Sequence, residues 1–217
     1  MKNIRLFGLA MGLMTGYVST AQKMISEGTI TYNMTMQTGQ KGDTLRDCST
    51  TVYLKGGNSR TDMVSPLGNE TNIHDGKTGT AVILKEFSGQ KLMITLTKEN
   101  WLAKNKAYNN IKFEFTGDTK TVAGFSCKKA IGKMTNGKTI EVFYAPDMVI
   151  TNKDYDPTFS GLPGLAMEYT IESGKMKIQY TLSKISFDAV QVSKFDFPKS
   201  GYRVMTYEEN QQIKKGS

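Results

Sequence analysis

The sequence predicts a mainly β fold: a single antiparallel sheet, with few short helices and one helix at the C-terminus. Three observations carry this reading. Polar and apolar residues alternate with period two in segment after segment between residues 29 and 187, as a strand with one buried face requires. Glycine-containing pairs such as Ser88-Gly89, Asn136-Gly137 and Ser173-Gly174 separate neighbouring runs at hairpin spacing, and Asn-Gly suits the type I′ turn. Helical signals are confined to residues 98–104 and to the end of the chain, which argues for one sheet rather than alternating layers.

The elements follow in order. Residues 29–36 alternate for a full strand, with Ile30, Tyr32, Met34 and Met36 on one face. Residues 48–55 are rich in Thr, Val and Tyr and end at Gly56-Gly57-Asn58, a turn signal. Residues 80–87 and 91–97 form a hairpin around Ser88-Gly89, and Ile111, Phe113 and Phe115 mark a further strand. Residues 125–134 and 139–144 flank Asn136-Gly137. Residues 167–172 and 175–187 flank Ser173-Gly174, and Met176, Ile178, Tyr180 and Leu182 face one way. Thr206-Tyr207-Glu208-Glu209 fits a capping box with Thr206 as N-cap. The helix it starts ends near Lys215 with basic residues in its last turn, as the helix dipole favours.

The chain opens with features of export. Lys2 and Arg5 form a basic start, residues 6–18 are apolar, and Ser19-Thr20-Ala21 supplies the small residues of a cleavage site. The apolar run is shorter than the roughly 20 residues that span a bilayer. Residues 1–21 therefore read as a signal peptide and residues 22–217 as one domain, exported to the periplasm or cell envelope, or secreted. No cysteine follows Ala21, so lipidation there is not expected. The net charge of +8 includes Lys2 and Arg5 and biases the surface toward anions without defining a site. With no dense basic run and no nucleic-acid module, nucleic acid is not an expected partner. Cys48 and Cys127 make an even count in an exported chain, which predicts a disulfide worth roughly 4–5 kcal/mol by chain entropy.

Catalytic chemistry has little to rest on. His74 is the only histidine, and its neighbour Asp75 falls on the opposite face of a strand, so a surface or turn position is expected. Asp147, Asp154, Asp156, Glu168 and Glu172 are the carboxylates from which a glycosidase pair could be drawn, but sequence does not give their separation. Two distant thiols and one histidine form no metal-ligand spacing. No catalytic residue, metal or cofactor is expected. Methionine is more informative: Met34, Met36, Met63, Met93, Met134, Met148, Met167 and Met176 lie mostly in strands, beside Tyr32, Phe87, Phe113, Phe143 and Tyr180. Such side chains line adaptable apolar pockets, or fill gaps in an ordinary core. Between residues 145 and 167, Pro146, Pro157 and Pro163 break the strand pattern. That segment reads as a loop folding Leu162 and Leu165 over an apolar face, or as a plain connection.

Gly161-Leu162-Pro163-Gly164-Leu165-Ala166 resembles the motif of the GLPGLI family of exported Bacteroidota proteins, with Ala166 in place of the final Ile. Residues 122–130 and 197–205 are similar to segments of a related exported family of unknown function. The resemblance implies a fold like that of the lipoprotein carrier LolA: a half-barrel formed by one curved antiparallel sheet, its apolar concavity partly closed by helices and loops. The expected function is non-enzymatic binding of a lipid or other apolar ligand there. Tyr32, Met34, Met36, Met176, Ile178, Tyr180, Leu162 and Leu165 would form wall and lid. The alternative is a structural or interaction module that contacts an envelope protein, and a glycan or peptide hydrolase comes last.

Overall fold

The structure is a computed structural model that describes residues 22–37, 44–108, 111–135, 137–173 and 176–216. The expected signal peptide, residues 1–21, lies outside them, as do Asn136 and Gly174 of two expected turns. The elements are β1 (Lys23–Ile25), β2 (Glu27–Gln37), β3 (Thr44–Lys55), β4 (Asn58–Ser65), β5 (Gly68–His74), β6 (Ala81–Phe87), β7 (Gln90–Leu96) and α1 (Lys98–Lys104). There follow β8 (Lys112–Val122), β9 (Phe125–Lys133), β10 (Thr139–Ala145), β11 (Met148–Ile150), β12 (Leu165–Ser173), β13 (Met176–Ser186), β14 (Arg203–Thr206) and α2 (Tyr207–Gly216).

Twelve strands form one open sheet in the order β14-β7-β6-β5-β4-β3-β2-β13-β12-β10-β9-β8. The mainly β architecture and the C-terminal helix are those read from the sequence. Two departures are local. β14 joins the edge parallel to β7, and β1 pairs in parallel with β11 outside the main sheet. Neither strand exceeds four residues, too few to show a period.

Local chemistry accounts for the boundaries. Ser88 and Gly89 both adopt positive φ between β6 and β7, the geometry of a type I′ hairpin. Thr97 caps α1 reciprocally with Asn100. The capping box at α2 forms as expected: the Thr206 amide donates to Glu209 Oε2 at 2.7 Å, and the Glu209 amide donates to Thr206 Oγ1 at 3.2 Å.

Alternation sends one face of the sheet inward. Ile30, Tyr32, Met34 and Met36 of β2 are all buried. Their partners on β13 continue the same face, with Tyr32 opposite Leu182, Met34 opposite Tyr180 and Met36 opposite Ile178. At the β8–β12 end, residues 145–165 pack their apolar side chains into this core, where Phe159, Leu162 and Leu165 are at most 4% exposed. At the other end Trp101 of α1 joins Ile83, Ile94, Leu96 and Met205 in a second cluster. On the outer face, Tyr202 packs on Val82, Leu84 and Met93, and Arg60 Nη1 donates to the Lys194 carbonyl at 3.0 Å. The segment from β13 to β14 thus straps the back of β4–β7.

The expected disulfide is not formed; both cysteines are buried free thiols. Cys48 lies on β3 and Cys127 on β9, and β2, β13, β12 and β10 stand between them. At about 4.8 Å per strand step, that separation exceeds the Cα–Cα limit of about 7 Å for a bridge. Compartment and parity argued for a bond that strand order forbids.

Candidate functional site

The middle of the inner face is neither fully packed nor apolar. In register across β3, β4 and β5, Thr50 stands opposite Met63 and Met63 opposite Glu70; Val52 stands opposite Thr61 and Thr61 opposite Asn72. These side chains, with Tyr32, Ile171 and the stacked pair Tyr169–Tyr180 (centroids 4.6 Å apart), wall a cavity of about 190 Å³. Tyr155, Asp156 and Phe159 close its inner end. Tyr155 and Phe159 come from two successive 3₁₀ turns, Lys153–Tyr155 and Pro157–Phe159, and Asp156 links them. Asp156 holds the second turn by accepting from the Thr158 amide at 3.0 Å, and Pro157 fits the first position because its missing N–H needs no partner.

Met63 and Glu70 also line a second, more open hollow of about 410 Å³, whose wall includes Met36, Met176, Ile178, Leu67, Phe87 and Lys85. The two adjoining hollows, one methionine-rich and the other aromatic and polar, make up the inner trough. Unbranched thioethers adapt to varied apolar shapes.

The polar end has a defined charge state. Glu70 forms an ion pair with Lys85 at 2.7 Å and accepts from Asn72 Nδ2 at 3.0 Å. Burial pushes its carboxyl up, but the Lys85 charge, the Lys85 and Asn72 hydrogen bonds and the Lys104 charge outweigh it and hold it low. Asp156 goes the other way: burial pushes it up against the bonds from Thr158 and the Lys104 charge. Burial also raises the Tyr32, Tyr155 and Tyr169 phenols, and takes Tyr180 to about 12, so all four stay neutral.

The expected site residues divide. Tyr32 and Tyr180 line the inner cavity; Met36, Met176 and Ile178 line the outer section. Met34 lies beneath Thr50, whose hydroxyl donates to its sulfur. Leu162 and Leu165 are packed core rather than lid; Tyr155, Asp156 and Phe159 close the cavity instead. The motif around them is a backbone seam. A Cβ on Gly164 would stand 2.1 Å from the Ala145 carbonyl oxygen, and Tyr32 Oη donates to the Ala166 carbonyl at 2.8 Å.

Of the carboxylates, only Asp156 reaches the cavity, and Glu70, not among them, joins it. Glu168 is bound to Lys120 at 2.6 Å and Glu172 to Lys138 at 3.6 Å. Glu70, Asn72 and His74 could have been found as the alternate positions of one strand. His74 is a correction: it is 4% exposed and stacks on Trp101 at 4.7 Å, because β5 turns its last side chain inward. Among the described residues, no three His, Cys, Asp or Glu side chains gather as a metal ion needs. No described helix is long and apolar enough to cross a membrane.

The chain belongs to the family described as the N-glycanase peptide, N-terminal domain, which matches residues 60–209. Among solved structures it is similar to PNGF-II at 14% identity and a TM-score of 0.47, over 84% of this chain and 32% of that one. It is also similar to a beta-barrel-like protein of a domain of unknown function from Brucella abortus: 8% identity, TM-score 0.38, 77% of this chain and 99% of that one. A third is MucB, at 8% identity and a TM-score of 0.37, over 80% of this chain and 58% of that one. The chain spans about a third of the length of PNGF-II. No curated protein matches it.

Proposed function

We propose that this domain is an exported, non-catalytic binding module of the cell envelope that holds an amphipathic, lipid-like ligand in the inner trough. One observation carries the reading. An open methionine-lined hollow and an aromatic cavity with polar side chains lie on the inner face and share Met63 and Glu70 in their walls. An apolar chain gains about 25 cal/mol for each Å² removed from water, and Leu67, Phe87 and Met176 offer that surface. The polar group of the ligand meets Glu70, Asn72 and Asp156. To test this, the protein is expressed with its own leader in a bacterial periplasm and extracted into organic solvent. Near-stoichiometric amphiphile in the extract is expected. Protein that emerges empty and takes up no fluorescent amphiphile contradicts the proposal.

A hydrolytic reading draws on the family and on the pairing of Asp156 with Glu70 in one cavity. Glu70 is already committed to Lys85 and Asn72, which leaves it poorly placed to activate water and favours binding. Glycan or peptide cleavage that disappears with Asp156→Asn would reverse this preference.

A further inference from the structure

We infer that the hollow between α1 and residues 75–80 is a second binding site, which takes a small organic anion with an apolar body. The hollow measures about 240 Å³ and shares no wall residue with either hollow of the trough, so the inference stands apart from the reading of that trough. The charges on its wall are unequal. Lys77 and Lys98 both line it, against one carboxylate, Asp154. Among the described residues neither lysine has an ion-pair partner. Lys104 Nζ adds positive charge over the Trp101 ring, 5.2 Å from its centroid.

Asp75 and Glu99, the acids beside these lysines in the sequence, are not on the wall. Asp75 is engaged by its own turn, where Oδ1 accepts from the Lys77 and Thr78 amides at 2.8 and 3.3 Å. A cleft whose wall carries an excess of one sign concentrates ions of the other, and an ammonium without a carboxylate partner is available for charge-assisted hydrogen bonds to an anion. The Lys98 stem lies along the loop: a Cβ on Gly79 would stand 2.9 Å from Lys98 Cγ. The rest of the surface supplies the apolar contact. Leu102 of α1 is 51% exposed and lines the hollow, and the buried pair Trp101–His74, stacked at 4.7 Å, completes that part of the wall. An acidic group at the lysines and a hydrocarbon ring against Leu102 use both parts of this surface.

Trp101 is the only tryptophan and His74 the only histidine, so each gives a signal from this hollow. The test titrates the full chain with cyclohexanecarboxylate, cyclohexanecarboxamide and cyclohexylammonium, following Trp101 fluorescence and the His74 ring protons by NMR. The carboxylate is expected to move both signals with one Kd, at least tenfold tighter than that of the amide or the ammonium. Lys77→Gln combined with Lys98→Gln is expected to weaken the carboxylate at least tenfold and leave the amide unchanged. The inference is overturned by the absence of a saturable change with the carboxylate, by equal affinities for carboxylate and amide, or by full carboxylate affinity in the double variant. If that variant does not fold, the wild-type ranking decides the matter.

Discussion

His74 closes β5 with its ring against Trp101, and its Nδ1 is buried with no hydrogen-bond partner. Burial lowers its pKa from 6.5, against the charges of Asp154 and Asp75. Protonation therefore favours the unfolded chain. The contribution of the neutral ring is complete above the unfolded value of about 6.5 and is lost as pH falls below it. The melting temperature should drop between pH 7 and pH 5, and His74→Phe should flatten that drop; equal slopes would contradict the assignment. Asp156 has the opposite linkage. Its folded pKa lies above 3.8, so the unfolded chain releases the proton first as pH rises, and stability is lost from there up to the folded value. Asp156→Asn keeps a capping oxygen for Thr158 and should stabilise the fold at pH 7 by about 1 kcal/mol. In thermal melts across pH the gain should vanish below the unfolded pKa. The cysteines give a third expectation at this scale. Neither Cys48 nor Cys127 should react with a thiol reagent in the native protein, both should react on denaturation, and reductant should not change the melting temperature. One disulfide detected under denaturing, non-reducing conditions would contradict the strand order.

At the scale of elements, β2 and β13 were legible in the sequence because one face of each is apolar over a full strand, from Ile30 to Met36 and from Met176 to Leu182. β4 and β5 were not. Their inward residues are Ser59, Thr61 and Met63, then Glu70, Asn72 and His74, so a search for hydrophobic alternation passes over both. The same substitution of polar for apolar makes the inner cavity, and so the candidate site was hidden by the property that defines it. The 153–165 segment shows a different limit. Its prolines and glycines declared a break, but only the structure shows Gly164 set against the Ala145 carbonyl and Phe159 facing Tyr169 at 4.6 Å. Gly164→Ala should cost about 1–3 kcal/mol through overpacking. Leu162→Ala, a core truncation, should cost about 2–5 kcal/mol. Both are read from denaturant midpoints, and a neutral Gly164→Ala would mean that this seam is looser than described.

Over the whole molecule, a twelve-stranded sheet stays open because each end has its own cover. Residues 145–165 fill the β8–β12 end, Trp101 fills the β6–β7 end, and the β13–β14 connection straps the back. The centre is left to Met36, Met63, Met176 and the tyrosines, with the trough between. The sequence announced an apolar inner face, and not where that face would stay unfilled, because the difference lies in which distant segments cover it. Met63 lines both hollows of the trough, so the most direct test is to block them there. Native mass spectrometry of the periplasmically expressed protein should show wild type carrying one amphiphile per chain, and folded Met63→Trp emerging without it. Wild type without bound amphiphile, or a folded Met63→Trp carrying the same load, would contradict the account.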